Sequence, residues 1–108
     1  MTSVYKIEDF IHLNKPEYMV ITQHSLKRFT ERGIVIDDVC DAISNGEIIE
    51  HYGDDFPFPS CLILGESKNK PLHVVASING EYIYVITSYI PDSERWENDW
   101  KTRKEEPK

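Results

Sequence analysis

Hydrophobic positions in the first half of the chain recur every three to four residues, the spacing of amphipathic helices. We predict three short helices from this pattern, in VYKIEDFIHL (4–13), QHSLKRFTER (23–32) and DVCDAISNG (38–46). The residues predicted to bound the second and third helices are Thr22 or Ser25, Gly33, Asp37 and Gly46. Hydroxyl and carboxylate side chains cap helix N-termini, and glycine ends helices in a left-handed conformation.

After Gly46 the pattern changes to runs rich in β-branched and aromatic residues, separated by Gly, Pro, Asp and Asn clusters. These runs predict four strands, in EIIEHY (47–52), SCLILGE (60–66), PLHVVASI (71–78) and EYIYVITSYI (81–90). Helices followed by strands are typical of the α+β class. We therefore expect short N-terminal helices packed on a four-stranded antiparallel sheet.

The last two predicted strands flank Asn79-Gly80, which favours a two-residue type I′ turn because both central positions need positive φ. The residue pairs that this turn predicts are Ile78–Glu81, Ala76–Ile83, Val74–Val85 and His73–Ile86. One face of the sheet, predicted to lie under the helices, carries Leu72, Val74, Ala76, Ile83 and Val85. The other carries His73, Val75, Ser77, Tyr82, Tyr84, Ile86 and Ser88. This second face is aromatic and hydroxylated, which suits a ligand, stacked bases or a protein partner.

A chain of 108 residues is the size of one compact domain. We place that domain in residues 1–95 and a charged tail in residues 96–108. Trp96 and Trp100, four residues apart, predict a final amphipathic helix that frays into the charged end. The N-terminus has no apolar stretch of signal-peptide length, and no run approaches the roughly 18 apolar residues that span a bilayer. We expect a cytoplasmic protein without membrane contact.

The net charge of −7 disfavours nucleic-acid binding, because a phosphate backbone repels an acidic surface. The charge is unevenly distributed, however: residues 35–60 hold seven carboxylates and no lysine or arginine. Residues 21–34 are the positive exception, with Lys27, Arg28 and Arg32 against Glu31. The predicted second helix is therefore the place where an anion would bind.

On that helix His24, Arg28, Glu31 and Arg32 project on roughly one side. Histidine exchanges protons near neutral pH, and guanidinium groups hold phosphates through paired hydrogen bonds. Cleavage of RNA by its own 2′-hydroxyl needs a base, a cation and an acid, which these residue types supply. The same spacing also fits a solvated helix face, and His73 in a strand also fits a structural role.

The segments HSLKRFTERGIVIDDVCDAISNGEIIEHY, PLHVV and ITSYIPD together resemble the small bacterial family named domain of unknown function 4258, over about residues 20–92. The residues that carry the resemblance are His24, Arg28, Arg32, Gly33, Ile34, Tyr89, Pro91 and Asp92. It implies a link to toxin proteins of the RelE, barnase and EndoU type, with a RelE-like fold and cleavage of RNA without a metal ion. Such proteins are often encoded beside a small antitoxin or attached to secreted toxin modules.

We therefore expect a metal-independent endoribonuclease, the toxin of a bacterial toxin–antitoxin pair. His24 is the expected base or acid, and Arg28 and Arg32 the expected phosphate clamp. His73 is expected to be a second proton carrier or a substrate contact. Further predicted substrate contacts are Lys27, Tyr84 and Tyr89.

The alternative is a non-enzymatic module whose face around Tyr82, Tyr84 and Ile86 binds a protein partner or a second copy of the chain. A metal-dependent enzyme is a weaker alternative, because the four histidines lack ligand spacing. Cys40 and Cys61 likewise lack the spacing of a zinc site. We expect no metal and no cofactor.

Overall fold

A computed structural model describes residues 5–56 and 58–105 of the chain. The helices are α1 (Ile7–His12), α2 (Gln23–Arg32) and α3 (Ile36–Ser44), and a short 3-10 helix spans Pro16–Tyr18. The strands are β1 (Met19–Val20), β2 (Glu47–Tyr52), β3 (Ser60–Ser67), β4 (Lys70–Asn79) and β5 (Tyr82–Tyr89). The α+β class is confirmed. No helix in these two ranges is long and apolar enough to cross a membrane.

The sheet has five strands in the order β1-β5-β4-β3-β2, so the prediction of four strands is wrong by one. Strands β2 to β5 pair antiparallel, as predicted, whereas β1 pairs parallel to β5. The added strand is only two residues long, with Met19 opposite Ile83 and Val20 opposite Tyr84. Such a short run has no periodicity of its own, and only its partner strand makes it part of the sheet.

The ends of α2 follow the predicted capping chemistry. The Thr22 hydroxyl accepts a hydrogen bond from the Ser25 N–H, and Gly33 ends the helix at φ +69°. The start of α3 differs from the prediction of an Asp37 cap. Instead the Asp38 carboxylate reaches back to accept a hydrogen bond from the Val35 N–H at 2.9 Å. Because an N3 carboxylate can satisfy the N-cap amide, this helix begins before the acidic pair.

The hydrophobic core lies between the helices and one face of the sheet. Its sheet residues include all five predicted ones, Leu72, Val74, Ala76, Ile83 and Val85. The helices and the loop after α2 contribute Phe10, Phe29, Ile34, Val39, Ala42 and Ile43. The predicted apolar face and its position under the helices are confirmed.

The turn between β4 and β5 differs from the predicted Asn79-Gly80 turn. Asn79 pairs with Tyr82, so the two loop residues are Gly80 and Glu81. Only Gly80 has positive φ, at +63°, which is the pattern of a type II′ turn. The predicted register is therefore displaced by two residues.

A bulge at Ile86 displaces the register by one residue more. Val75 pairs with Thr87 while Ala76 pairs with Val85, which leaves Ile86 without an opposite residue. His73 then lies opposite Tyr89 and not opposite Ile86. Because one inserted residue exchanges the two faces of a strand, Thr87 and Tyr89 share the face of His73. Ser88, predicted on that face, lies on the opposite one.

Residues 91–105, which we call the C-terminal segment, contain no helix, so the predicted final helix is wrong for the residues described. The segment folds back on itself through a bridge between Trp96 and Arg103. The Asp99 carboxylate accepts hydrogen bonds from the N–H groups of Lys101 and Thr102, and Trp100 has φ +60°. This local turn chemistry competes with a helix that side-chain spacing alone would favour.

Gly65 provides a stability test of the contact between β3 and α3. A Cβ atom at this position would overlap the backbone of Ala42. We expect Gly65→Ala to lower the free energy of unfolding by about 3 kcal/mol, because neither backbone can move without disrupting the core. Gly33→Asn is the control, because a Cβ atom at Gly33 would meet no other atom and asparagine tolerates the left-handed backbone there. It should lower the free energy of unfolding by less than about 1 kcal/mol. Urea unfolding followed by tryptophan fluorescence measures both values, and equal losses would contradict a close approach of Gly65 to α3.

Candidate functional site

The sheet face opposite the helices, which we call the far face, is partly covered by the C-terminal segment. By strand alternation its residues include Glu47, Glu50, Leu62, Leu64, His73, Val75, Tyr84, Thr87 and Tyr89. Trp96 is almost fully buried against this face, with its ring centroid 4.5 Å from that of His73. The C-terminal segment therefore closes over the end of the far face where His73 lies.

His73 is fully buried and makes a hydrogen bond with each ring nitrogen. Its Nε2 lies 2.7 Å from the carbonyl oxygen of Trp100, so Nε2 carries the proton and donates it. Its Nδ1 then accepts from the Tyr89 hydroxyl at 3.3 Å. Burial lowers the pKa of His73, and the bond to Trp100 offsets only part of that shift. The imidazole is neutral and out of reach of a substrate.

Tyr89 is half-buried, and its hydroxyl is held by His73 at the edge of an open depression. This depression, the Tyr89 hollow, has a volume of about 340 Å³ and is lined by Tyr89, Ile90, Asp92, Arg95, Trp96 and Arg103. Burial raises the pKa of Tyr89; the charges of Arg103 and Arg32 oppose that shift, and the charge of Glu50 adds to it. The phenol is therefore protonated near neutral pH.

Arg103 attaches the C-terminal segment to the edge strand β2. Its Nε and Nη2 donate to the two carboxylate oxygens of Glu50 at 2.8 and 2.9 Å. The same guanidinium lies 4.6 Å from the ring centroid of Trp96. These bonds from Arg103 hold the pKa of Glu50 below its ordinary value, although burial acts in the opposite direction. A bidentate pair of this kind fixes the position of Arg103 beside Tyr89.

Helix α2 lies along the part of β5 that β1 leaves unpaired. The Ser25 hydroxyl donates to the carbonyl of Ile86 at 2.7 Å. Further along β5, the Nη1 of Arg32 donates to the carbonyl of Ser88 at 2.8 Å and to the Thr87 hydroxyl at 3.2 Å. Side chains thus satisfy carbonyls that an exposed strand edge would leave open to another chain.

The predicted group of His24, Arg28 and Arg32 remains together on one side of α2. Successive helical residues rotate by about 100°, so Arg28 and then His24 follow Arg32 around the helix, away from the core. His24 and Arg28 are both exposed, and within residues 5–56 and 58–105 neither has a side-chain hydrogen bond or an ion pair. The structure leaves these two side chains available for a ligand.

The other predicted contacts are placed apart from this group. Lys27 lines a shallow hollow with Leu26 and Thr30, on the side of α2 away from Arg32. Tyr84 lies on the far face, opposite Ser77, with its ring centroid 6.5 Å from that of Phe58. Neither lines the Tyr89 hollow, so the structure does not bring Lys27 and Tyr84 together with Tyr89.

The sequence contains four arginines, and the fold brings three of them near Tyr89. Arg95 and Arg103 line the Tyr89 hollow, Arg32 acts on Tyr89 from the β5 edge, and Arg28 is one turn away on α2. Sequence reasoning missed Arg95 and Arg103, because they reach the site only through the irregular fold of the C-terminal segment. No spacing in the tail pointed to them.

Residues 21–90, which are 70 of the 108 residues, match the family model described as domain of unknown function DUF4258. The chain belongs to the DUF4258 family. Neither the curated proteins nor the solved structures give a significant match. The DUF4258 match includes the α2 group, His73 and Tyr89, and it ends before Arg95 and Arg103.

The two ranges described contain no group of three or more His, Cys, Asp or Glu side chains that could hold a metal ion. The groups at the Tyr89 hollow that can act chemically are a phenol, an imidazole behind it and guanidiniums around it. Such a set can donate and accept protons and can bind an oxyanion.

The buried neutral His73 predicts a pH dependence of stability. Unfolding exposes an imidazole that takes up a proton below a pKa of about 6.5, whereas the folded protein keeps it neutral to lower pH. The unfolded state then binds more protons, so the free energy of unfolding should fall from about pH 6.5 downwards, by at most about 1.4 kcal/mol per pH unit. Urea titrations between about pH 7.5 and 5.5 measure this slope.

His73→Gln retains one donor and one acceptor and should remove this part of the slope. His24→Gln, which replaces an exposed imidazole, is the control and should retain the part of the slope that comes from His73. A slope that survives in His73→Gln would mean that another group is responsible.

Proposed function

We propose that this protein is a metal-independent endoribonuclease. The 2′-hydroxyl of one nucleotide attacks the adjacent phosphorus, and the bond to the 5′-oxygen of the next nucleotide breaks. The products carry a 2′,3′-cyclic phosphate and a 5′-hydroxyl. The observation that carries the proposal is the hydroxyl of Tyr89, which a buried His73 orients at a hollow bordered by arginines.

The reaction needs a base and an acid on opposite sides of the phosphate. Arg28 and Arg32 are one turn apart on α2, so a phosphate held between them has His24 beyond Arg28 on one side. On the other side it has Tyr89, near Arg32. We assign His24 as the base that takes the proton of the 2′-hydroxyl. Tyr89 is the acid that protonates the 5′-oxygen, turning toward it the hydroxyl proton that His73 accepts in the resting protein. When water then opens the cyclic phosphate, Tyr89 takes a proton from the water and His24 returns one to the 2′-oxygen, so both groups regain their starting states.

Charge builds up on the phosphate oxygens in the transition state and has to be met by fixed cations. Arg32 is held in place through Nη1 by Ser88 and Thr87, which leaves Nε and Nη2 for the phosphate. Two donors of Arg103 are engaged by Glu50. Arg32 and Arg28 are therefore the main phosphate ligands, and Arg103 contributes charge from a fixed position.

His73 was predicted to carry a proton or to touch the substrate, and its burial argues for a different role. We assign it as a positioning residue. Its Nε2–H is used by Trp100, so Nδ1 is the acceptor that directs the Tyr89 hydroxyl. A rigid phenol loses less conformational freedom on reaching the transition state than a free one.

For the cellular role we propose a toxin of the RelE-like group, acting in the cytoplasm and held inactive by a small antitoxin protein. Support comes from the sequence resemblance and from the order of the helices before the four antiparallel strands β2 to β5. Bacterial growth on induction of the wild type and of Arg28→Ala provides a direct comparison.

The enzymatic proposal predicts that the purified protein cleaves RNA and that Tyr89→Phe is at least about 100-fold slower, because it loses a proton-transfer group. The Arg28→Ala variant should cleave RNA at least about 100-fold more slowly, because a phosphate ligand is removed. Tyr82→Phe, a matched change at an exposed tyrosine outside the hollow, should cleave at the wild-type rate. Gel assays give the rates, and mass spectrometry identifies the product ends.

Intact RNA after incubation with the wild type would contradict the proposal. So would products with 5′-phosphate ends, because these require attack by water and not by the 2′-hydroxyl. An unchanged rate in Tyr89→Phe would remove Tyr89 from the mechanism.

A second candidate function is protein binding through aromatic side chains. Phe56 is 94% exposed in the loop before β3, and Tyr82 and Ile86 are nearly half exposed. Phe58 and Tyr84 lie beside each other on the same part of the molecule. Exposed aromatic residues supply much of the binding energy in protein interfaces.

If this surface binds a second copy or a protein partner, Phe56→Ser combined with Tyr84→Asp should abolish the association. Sedimentation velocity detects self-association, and the Tyr82→Phe variant is the matched control because it keeps an aromatic ring. A wild type that is monomeric at all concentrations would count against a homodimer. Retained RNA cleavage in the double variant would separate this surface from the Tyr89 hollow.

A further inference from the structure

A second basic depression lies beside the turn that joins β3 to β4. This depression, the hairpin hollow, has a volume of about 140 Å³. Its lining residues include Arg32, Asp38, Ser67, Lys68, Lys70 and Ile90. Three of these are cations and one is an anion, in a chain whose net charge is −7. The hollow is therefore an exception to the acidic character of the molecule.

The single carboxylate in the hairpin hollow is already satisfied. Asp38 accepts hydrogen bonds from the Val35 N–H and the Ser67 hydroxyl, and it forms an ion pair with Lys68 at 3.3 Å. Burial acts to raise the pKa of Asp38, but these bonds hold it below its ordinary value. The charges of Arg32 and Lys70 remain, since within the described ranges neither forms an ion pair.

The two hollows are neighbours. Ile90 lines both of them and is 48% exposed between them. Arg32 lines the hairpin hollow and also binds the carbonyl of Ser88, the residue before Tyr89. The two hollows therefore meet at Ile90.

The size and the chemistry of the hairpin hollow indicate what it binds. Pockets for whole small-molecule ligands usually measure about 300 to 1,000 Å³, so a hollow of about 140 Å³ suits one small anionic group. We infer that it binds a backbone phosphate of single-stranded RNA, next to the nucleotide whose phosphate is cleaved at Tyr89. Ile90 lies where the intervening sugar or base would pack. This inference rests on the proposed function and extends it to substrates longer than a dinucleotide.

The inference is tested by binding of oligouridylates that carry 2′-O-methyl groups, which cannot be cleaved through the 2′-hydroxyl. Fluorescence polarisation measures affinity for lengths of about two to eight nucleotides. Lys68→Asn combined with Lys70→Gln removes two charges, and asparagine tolerates the left-handed backbone of Lys68, at φ +54°. Lys15→Gln is the matched control, because Lys15 lines a hollow near the β4–β5 turn, at the other end of the sheet.

We expect the double variant to bind the longer strands about tenfold more weakly and the dinucleotide unchanged. The slope of log affinity against log salt should become shallower by about 0.7, the value for one phosphate contact on a single strand. Lys15→Gln should behave as the wild type. Equal affinity of the double variant and the wild type at every length would overturn the inference, as would an equal loss in Lys15→Gln.

The design separates this inference from the nuclease proposal. If the wild type cleaves no RNA but the double variant loses the length-dependent binding, the hairpin hollow stands and the nuclease proposal fails. If cleavage of a dinucleotide is normal and the double variant binds all lengths like the wild type, the nuclease proposal stands and the hairpin hollow fails. A wild type that binds none of the strands overturns the inference outright.

Discussion

The imidazole of His73 is buried, and both of its ring nitrogens therefore need partners within the protein. One partner is the Tyr89 hydroxyl on the neighbouring strand, and the other is the carbonyl of Trp100 in the C-terminal segment. A single side chain thus sets the direction of the phenol and joins an irregular segment to the sheet. Arg95 and Arg103 reach the Tyr89 hollow because that segment is held there. The candidate site depends on this pair of hydrogen bonds more than on any residue that a substrate would touch.

The bulge at Ile86 makes that pairing geometrically possible. Without the extra residue, the alternation along β5 would place Tyr89 on the helix side of the sheet and Ser88 on the far face. The bulge also lies where β5 loses its partner β1 and is covered by α2, whose Ser25 binds the carbonyl of Ile86 itself. The same local irregularity therefore positions Tyr89 relative to His73 and α2 relative to Tyr89. Bulges are often found next to functional sites for this reason.

Local patterns predicted the parts of this fold that depend on local interactions. The extent of α2, the common side of His24, Arg28 and Arg32, and the apolar sheet face all follow from helix and strand periodicity. The register of the last hairpin did not follow, because Asn79-Gly80 and Gly80-Glu81 both suit a tight turn and the choice depends on contacts along both strands. The C-terminal segment was mispredicted for a similar reason: the spacing of Trp96 and Trp100 favours a helix, but burial of Trp96 on His73 and the turn at Asp99 outweigh it. Arg95 and Arg103 were missed with it.

Net charge is a poor guide to where this chain can bind an anion. Exposed charges are screened beyond about 8 Å at physiological ionic strength, so the local arrangement decides. Three carboxylates of the acidic stretch 35–60 already face cations of the chain: Glu47 pairs with Lys101, Glu50 with Arg103 and Asp38 with Lys68. The acidic stretch thus anchors the C-terminal segment and the β3–β4 turn, and these ion pairs cancel part of its repulsion of anions. Arg28 and Arg32 have no carboxylate partner among the residues described, which leaves their charge for a ligand.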